Sequence, residues 1–404
     1  MQNSNVSRRG FLTSGLLGLG ASLYGSSLLA DDKVIAGFDQ TQTDIDASQV
    51  WQPFSDRKVR VGIVGNGVCK FGSSFGYQDH PNVEVAAVSD LFPDRCDELA
   101  QACRCEKKYP SLEELVKDDS IEAVFVATDA PSHVDHVLKC LEKGKHVMCA
   151  VPAVFGRVED GERLLEAVKK SGKIYALNET SAFHDDLYAS RLIYQAGGFG
   201  KMNYTEGEYF HYSVGTTDSY KGWRIGLPPQ WYPTHSNAYY TCVTGGSFTE
   251  VSCFGHVGSK DCYKPGNNTY NNTFGSETAL FKTSEGGVAR MAVNWDAACL
   301  PSESGRNRGQ FGSYLDSWQG MTPESNAIVE KLKLKKPALP PGMDAGGHGG
   351  SHGYLTVDFI DSILRERKPC VDIITALNTT IAGVIAHESA MRDGELLKIP
   401  QYKW

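Results

Sequence analysis

The sequence predicts an α/β protein whose first domain is a parallel sheet covered by helices on both faces. Short strands, apolar along nearly their whole length, alternate with helical stretches from Val59 onward, a pattern typical of a sheet buried on both sides. A glycine pair, Gly65 and Gly67, follows the first strand, and Asp90 ends the second. Together these observations predict an N-terminal Rossmann domain that binds a dinucleotide.

The elements of this domain follow from the alternation. We expect strands at 59–64, 83–89, 121–127, 145–149 and 173–178, and helices at 93–103, 112–117 and 131–143. In such a fold the glycines let the backbone approach a pyrophosphate at a helix N-terminus, and the acid binds the ribose diol and repels a 2′-phosphate. NAD is therefore favoured over NADP. Lys70 occupies the third glycine position, so we expect the helix to start differently and Gly72 to take over part of the packing role.

Length and charge exclude some classes of protein. A chain of 404 residues is too long for one ordinary core, so two domains are expected. The net charge is −8 without any lysine- or arginine-rich run, which argues against a nucleic-acid partner.

The first thirty residues predict an export signal. Paired arginines, Arg8 and Arg9, precede an apolar stretch that ends near Ala30, as in twin-arginine signals. A membrane anchor is the alternative, but the glycines and serines of this segment make it less apolar than a permanent membrane span usually is. We expect a periplasmic protein with no stable span after signal removal. The route moves folded proteins, which suits a cofactor loaded in the cytoplasm.

The cysteine count is odd, at eleven, and there is no Cys-x-x-Cys pair. A zinc site is therefore poorly supported. An oxidising compartment would allow Cys242, Cys253 and Cys262 to contribute to a disulfide, with at least one thiol unpaired.

Several motifs resemble the Gfo/Idh/MocA family of NAD(P)-dependent oxidoreductases. They are the segments 61–67, 87–90, 126–133, 144–147, 357–363 and 386–390. The resemblance covers residues 58–400. It implies bound NAD, a sugar or glycoside substrate, and a second α+β domain with a large, mostly antiparallel open sheet. One face of that sheet would cover the nicotinamide and the other would form a subunit interface, so we expect a homo-oligomer, a dimer or a tetramer.

The domain organisation follows from these segments. We expect a signal peptide at 1–30, an arm at 31–57, the Rossmann domain at 58–178, a substrate and oligomerisation domain at 179–354, and closing helices with a tail at 355–404. Within the second domain the pattern predicts a helix at 185–195 and strands at 202–211, 247–254, 279–283 and 288–295, the last two joined by a hairpin turn. Residues 297–350 read as less regular, rich in glycine and proline.

One departure from the family bears on the reaction. Ordinary members end the fifth strand with Glu-Lys-Pro, and the lysine helps to move the proton of the sugar hydroxyl. This chain has Ala150 and Val151 before Pro152, and Trp231 where a family aspartate stands four residues before a histidine, His235. A positioned acid or base contributes roughly 10²–10⁴ in rate, so this loss matters.

Three interpretations remain open. The first is redox-neutral glycoside cleavage, because family 109 glycoside hydrolases share this fold and have Val-Pro-Ala, Tyr-Pro-Thr-His and Trp-Arg segments like those at 151–153, 232–235 and 223–224. Against it, their glutamate is Ala150 here, and their proton-transfer tyrosine aligns with Phe183, next to His184. The second is a net sugar oxidoreductase with relocated acid–base groups. The third is a non-catalytic sugar- or NAD-binding protein.

The candidate site residues fall into three groups. Catalytic candidates are His235, Tyr232 and Glu179. Substrate-binding candidates are His211, Lys221, Trp223, Arg224, His184 and His352. Cofactor-binding candidates are Gly65, Asn66, Gly67, Val68, Cys69, Asp90, Thr128, Asp129, His133, Ala150 and Val151. No metal is expected, because the histidine pairs 133/136 and 348/352 lack a clear third ligand.

Overall fold

The computed structural model of the chain describes residues 51–67, 69–299 and 302–404. The predicted signal at 1–30, most of the arm at 31–57, and Val68 lie outside the described residues. Within these described ranges, no helix is both long enough and apolar enough to cross a membrane.

The first sheet is parallel throughout, as predicted. Its spatial order is 3-2-1-4-5-6, the order in which a dinucleotide crosses the sheet between the first and fourth strands. The strands are β1 (Val59–Val64), β2 (Val83–Ser89), β3 (Lys108–Tyr109), β4 (Ala123–Val126), β5 (His146–Ala150) and β6 (Tyr175–Asn178).

Helices cover this sheet and pack against the second one. Apart from α9, where His348 and Gly349 have positive φ, they are regular. The helices are α1 (Phe71–Ser74), α2 (Pro93–Ala102), α3 (Leu112–Leu115), α4 (His133–Glu142), α5 (Glu159–Ser171), α6 (Asp185–Gln195), α7 (Thr234–Thr244), α8 (Pro323–Val329), α9 (Gly347–Gly350), α10 (His352–Arg365) and α11 (Ile373–Ala390). Short 3₁₀ turns include Ala130–Ser132, Thr180–Phe183, Tyr220–Gly222 and Pro229–Trp231.

The glycine-rich turn after β1 confirms the expected change at the third glycine position. Lys70 adopts a left-handed conformation and caps α1, which is only four residues long. Gly72 lies so close to the turn that a Cβ there would stand 2.2 Å from the carbonyl oxygen of Gly65. Gly72 therefore provides the close helix–strand packing that the missing third glycine would have given, but α1 is too short to supply the full helix dipole that we expected.

The second sheet is mixed and mostly antiparallel, with β7 and β10 as its parallel pair. Its spatial order is 13-12-11-7-10-9-8-14. The strands are β7 (Met202–Phe210), β8 (Phe248–Val257), β9 (Phe274–Thr283), β10 (Val288–Asn294), β11 (Ser302–Gly309), β12 (Gly312–Tyr314), β13 (Trp318–Gly320) and β14 (Leu397–Lys398).

The expectation of an irregular segment at 297–350 was wrong for the part that forms β11. This strand, Ser-Glu-Ser-Gly-Arg-Asn-Arg-Gly, has no apolar side chain, so it gives no hydrophobic alternation. Its backbone nevertheless pairs with β7 along its length, with Glu303 opposite Tyr209 and Asn307 opposite Thr205. Paired inner-face side chains stabilise it instead, since Thr205 donates a hydrogen bond to Asn307 Oδ1 at 3.0 Å.

The cysteines do not form the disulfide that we considered. All eleven are free thiols. Cys242 and Cys253 are buried in the core, while Cys262 directs its sulfur toward the carbonyl oxygen of Gly215. The three behave as small packing residues, which corrects that expectation.

Two facing glycines decide how closely α7 lies on the second sheet. Gly207 and Gly305 are paired across β7 and β11. A Cβ on Gly207 would stand 2.1 Å from the carbonyl oxygen of Ser236, and one on Gly305 would stand 2.3 Å from the ring of Tyr239. Because the sheet has no side chains at these points, the first turn of α7 rests directly on it.

Gly207→Ala should therefore destabilise the protein by roughly 1–3 kcal/mol, because overpacking against a backbone atom cannot be relieved by a rotamer change. Denaturant unfolding measures the change in the free energy of unfolding. Asn203→Ala, at an exposed position of the same strand, is the control and should stay within roughly 0.5 kcal/mol. Equal effects of the two substitutions would contradict the packing role of Gly207.

Candidate active site

A cleft opens at the carboxyl ends of β1, β2, β4 and β5, where parallel sheets of this kind bind ligands. Most of the predicted cofactor residues line it: Gly65, Asn66, Gly67, Cys69, Asp90, Thr128, Asp129, Ala150 and Val151. The opposite wall comes from the second domain and contains Trp223, Arg224 and Tyr232. We call this space the dinucleotide cleft.

The residues at one end of the cleft fit a dinucleotide. Gly65 has φ +92°, and a Cβ there would stand 2.5 Å from the carbonyl oxygen of Ala127, so only glycine fits this turn. The two oxygens of Asp90 accept hydrogen bonds from the backbone N–H groups of Asn66 and Phe92, at 2.8 and 2.9 Å. A carboxylate has further lone pairs, so Asp90 can still accept from a ribose diol.

Arg95 and His136 also line this cleft, although neither was a candidate from the sequence. Arg95 stands 4.6 Å above the ring of Phe92, at the end where Asp90 lies. His136 lines the cleft and its Nδ1 is 2.9 Å from the hydroxyl of Thr128. The spacing His133-x-x-His136 was visible in the sequence, but it did not indicate which histidine faces the cleft.

His133 lies behind the wall of the cleft rather than on it. Its ring nitrogens face the carbonyl oxygens of Pro152 and Thr128, at 2.8 and 3.1 Å. Complete burial lowers its pKa, although those two carbonyls act in the opposite direction. His133 therefore joins the loops after β4 and β5, and a direct contact with the cofactor stays a prediction.

The second-domain wall is aromatic and cationic. The guanidinium of Arg224 stands 4.2 Å from the centre of the Trp223 ring and 5.8 Å from that of Tyr232. Burial raises the pKa of Tyr232 to about 12, so its phenol is a hydrogen-bond donor at neutral pH. Lys221 is exposed and lines a neighbouring cleft together with Trp223, not the dinucleotide cleft itself.

The predicted catalytic histidine is held by the predicted glutamate. Glu179 directly follows β6, and His235 is the second residue of α7. Nδ1 of His235 lies 2.8 Å from Oε1 of Glu179, and both side chains are buried. The ring packs edge-on against Tyr209 at 4.5 Å between centroids, and lies 5.8 Å from Tyr232 on the cleft wall. Two positions far apart in the sequence therefore form one pair.

This geometry favours the charged imidazolium. Burial acts to lower the pKa of His235, but the charges of Glu179 and Glu303 outweigh it and raise the pKa to about 9. His235 is then a proton donor at neutral pH. Among the residues that the structure describes, none forms a hydrogen bond with its other nitrogen, Nε2, and the side chain is buried behind Tyr232 of the cleft wall.

Glu303 and His348 complete the cluster, and sequence reasoning assigned a catalytic role to neither. Oε2 of Glu303 lies 3.4 Å from Nε2 of His184 and 3.7 Å from Nδ1 of His235. The ring of His348 stacks over that of His235 at 6.4 Å between centroids. Partial burial and the charge of His235 lower the pKa of His348 to about 4, so it stays neutral. The histidine–carboxylate cluster is defined here as Glu179, His184, His235, Glu303 and His348.

Two of the predicted substrate-binding histidines, His352 and His211, lie outside the histidine–carboxylate cluster. His352 uses both ring nitrogens, one 2.8 Å from His348 and the other 3.0 Å from the carbonyl oxygen of Ser74, so it positions His348 rather than facing a substrate. His211, at the end of β7, packs against Tyr209, and its buried Nδ1 has no protein partner among the residues described. Its role in binding a sugar stays a prediction.

The positions of the absent family groups contain apolar side chains. Ala150 and Val151 line the cleft without any ionisable atom. Trp231 packs over Gly156 and against the ring of Phe155 at 5.3 Å. In the described ranges no group of three or more His, Cys, Asp or Glu side chains is arranged to hold a metal ion.

Comparison with known proteins agrees with this geometry. The model of an oxidoreductase family with an NAD-binding Rossmann fold, GFO_IDH_MocA, matches residues 59–179. A trans-1,2-dihydrobenzene-1,2-diol dehydrogenase of Mus musculus is 32% identical over 37% of this chain and 44% of its own length. A glycosyl hydrolase family 109 protein of Bacteroides thetaiotaomicron is 28% identical over 38% of this chain and 34% of its own length. The chain thus spans less than half the length of these two relatives.

Solved structures share the fold of nearly the whole described chain. Levoglucosan dehydrogenase in complex with NADH and levoglucosan covers 86% of this chain and 100% of its own, with a TM-score of 0.69 at 15% identity. Scyllo-inositol dehydrogenase from Lactobacillus casei, with bound NAD(H) and scyllo-inositol, covers 85% and 99%, with a TM-score of 0.63 at 15% identity. At such identities the likeness establishes the fold, including the second sheet.

Asp90→Asn tests the assignment of the ribose end. Removing the charge should weaken NAD binding roughly tenfold or more, because a hydrogen bond to a charged group is worth about 1.5–3 kcal/mol. It should also reduce the preference for NAD over NADP, since the repulsion of a 2′-phosphate is lost. Calorimetric titration of nucleotide-free protein with NAD and with NADP measures the affinity for NAD and the preference between the two. Asp97→Asn, on α2 and paired with Lys108 outside the cleft, is the control. An unchanged preference would contradict the role of Asp90.

Proposed function

Because the first domain belongs to the Gfo/Idh/MocA family of NAD-binding oxidoreductases, we propose that this protein transfers hydride between bound NAD and a carbon of a sugar or glycoside, with His235 as the proton-transfer residue. The observation that carries the proposal is the pairing of His235 with buried Glu179, with the His235 ring 5.8 Å from that of Tyr232, which lines the dinucleotide cleft. In this proposal the pair takes over the acid–base task that the lysine performs in other family members.

The two ring nitrogens of His235 have separate tasks. Nδ1 is held by Glu179, which sets the orientation of the imidazole and stabilises its charged form. Nε2 then gives its proton to a carbonyl oxygen that becomes a hydroxyl, or takes the hydroxyl proton in the opposite direction. Bound NAD supplies or accepts the hydride and its electron pair. Tyr232, as a neutral phenol on the wall, is placed to donate a hydrogen bond to the same oxygen.

Redox-neutral glycoside cleavage is the second candidate. It needs more than one proton-transfer group, and a second imidazole, His184, is present beside Glu303. Similarity to family 109 glycosyl hydrolases and the Tyr-Pro-Thr-His segment at 232–235 also support it. The expected export by the twin-arginine route fits either reaction, since a cofactor that is never released needs no external pool.

Purified protein tests the proposal directly. A denatured extract should contain NAD by mass spectrometry; lack of nucleotide together with no binding of added NAD would overturn the cofactor assignment. A library of aryl glycosides and free sugars then separates the reactions. Aglycone release without net reduced nicotinamide supports glycoside cleavage, and net reduction of external NAD supports the oxidoreductase. Sugar binding without either points to a non-catalytic binding protein.

His235→Ala should lower turnover by roughly 10²–10⁴, the usual contribution of a positioned acid or base, while NAD stays bound. Steady-state rates and the nucleotide content of the purified variant are the measurements. His256→Ala, at an exposed position of β8, is the control. Unchanged turnover in the His235 variant would remove this residue from the mechanism.

The pH dependence should follow the charge of His235. Carbonyl reduction needs the imidazolium, so its rate should fall as pH rises through about 9, whereas hydroxyl oxidation should rise over the same range. Glu179→Gln removes a charge that raises this pKa, so both inflections should move to lower pH, by roughly one unit or more. Inflections that stay in place would contradict the pairing. Rates measured from pH 6 to pH 10, roughly the range in which histidine titrates when so perturbed, test this.

A further inference from the structure

Glu303 reaches the cluster from the second sheet, whereas Glu179 reaches it from the end of β6. It lies on β11, opposite Tyr209 of β7, and both side chains point to the sheet face on which α7 packs. Its side chain is only 10% exposed. A carboxylate in such a place needs partners, because burying an unpaired charge is costly.

Three side chains from outside the second sheet meet one oxygen of Glu303. The hydroxyl of Ser181 donates a hydrogen bond to Oε2 at 2.6 Å, and His184 Nε2 and His235 Nδ1 approach the same atom at 3.4 and 3.7 Å. Ser181 also donates its backbone N–H to Oε1 of Glu179, at 2.9 Å. The turn Thr180–Phe183 therefore joins both carboxylates, and both of them approach the same ring nitrogen, Nδ1 of His235.

The side chain of His184 joins the cluster because it points in a different direction from that of its neighbour, Phe183. Phe183 is buried, and its ring stacks on Tyr354 at 6.1 Å between centroids. His184 caps α6 in an extended conformation and directs its ring to Glu303 instead. Gly349 permits this placement, because a Cβ there would stand 2.8 Å from the His184 ring.

A lysine fixes the two segments that surround His184. Nζ of Lys336 donates hydrogen bonds to the carbonyl oxygens of Phe183 and Gly350, at 2.7 and 3.1 Å, and lies 3.0 Å from the carboxylate of Asp185. Its three protons are thereby used. Lys336 therefore acts as a structural link between the turn that precedes His184 and the loop that contains His348, not as a replacement for the family lysine.

We propose that Glu303 is a second positioning residue for His235, which it bridges to His184, and that the two carboxylates together keep His235 in its proton-donating form. The proposal rests on the proposed function. With His235 protonated, the resting site can donate a proton to an oxygen. The resting protein is therefore prepared for carbonyl reduction, or for the return of hydride to a keto-sugar, because both steps need a proton donor.

The surrounding charges agree with this assignment. Burial acts to raise the pKa of Glu303, but His235 and His184 outweigh it and lower the pKa, so the carboxylate remains charged. The titratable groups that face His235 are Glu179, Glu303, Tyr209, Tyr232 and His348, and those that face His184 are Glu303 and Asp186. Among those facing His235, the two glutamates are the only carboxylic acids.

Glu303→Gln should move the inflection of the pH–rate profile to lower pH by roughly one unit, a tenfold change in the protonation equilibrium. The shift should be smaller than with Glu179→Gln, because Glu303 is farther from Nδ1. Glu303→Asp retains the charge at a longer distance, so its inflection should fall between those of the wild type and Glu303→Gln. A purely packing role for Glu303 would lower the rate or the melting temperature without moving the inflection.

Glu208→Gln is the matched control. Glu208 lies on β7 and pairs with Arg290 on the other face of the same sheet. The substitution therefore removes an equal charge without changing any residue of the cluster. Its inflection should match that of the wild type. An inflection in Glu303→Gln equal to that in Glu208→Gln would overturn the proposal.

A measurement without turnover separates this proposal from the proposed function. NMR titration of histidine-labelled protein, with the His235 signal identified by its loss in His235→Ala, should show a lower pKa for His235 in Glu303→Gln. If no sugar is turned over but the His235 titration shifts, the positioning role holds and the proposed function fails. If sugars are turned over and the titration does not move, Glu303 is not a positioning residue.

Discussion

The buried ion pair between Glu179 and His235 is the interaction on which the site depends. Glu179 leaves the last strand of the parallel sheet, whereas His235 begins a helix that rests on the second sheet, so the pair spans the two halves of the molecule. Separating two such charges inside a protein would leave one of them unpaired at a cost of several kcal/mol. The relative placement of the two domains is therefore linked to the charge state of the catalytic candidate.

The pair of Glu179 and His235 offers a reason why this chain can lack the family lysine. Ala150 and Val151 leave the end of β5 without charge, and the cleft wall there is apolar. In the function proposed above, a histidine on α7 takes the place of that lysine as the acid–base group. A carboxylate on one nitrogen of an imidazole orients the ring and stabilises its charged form, which is the role that Glu179 and Glu303 would have here.

Much of the first domain was predictable, because its pattern is local. Apolar strands, a glycine turn and an acid at the end of β2 follow directly from the sequence, and even the replacement of the third glycine by Gly72 was visible there. The pairing of Glu179 with His235 was not visible, because it depends on how α7 meets the turn after β6. Each residue is a catalytic candidate on its own segment, but nothing in the sequence relates the two segments.

Glu303 escaped sequence reasoning for a different reason. Pattern methods recognise a strand by apolar alternation, and β11 has none, since its inner face consists of Glu303, Gly305 and Asn307. Similarly, the histidines at 348 and 352 looked equivalent in a glycine-rich segment. Only the fold distinguishes them, because His352 is tied to Ser74 whereas His348 stacks on His235.

The polar strand β11 makes the site sensitive to strand register. Its even-numbered residues face away from α7, and its odd-numbered residues, Glu303 among them, face toward α7. No apolar alternation fixes which set points inward, so the pairing with β7 has to do so. A single-residue insertion at the start of the strand would exchange the two sets and replace Glu303 by a neighbour in one step. The contact of Glu303 with the cluster therefore depends on the register of β11 against β7 as much as on the identity of the residue.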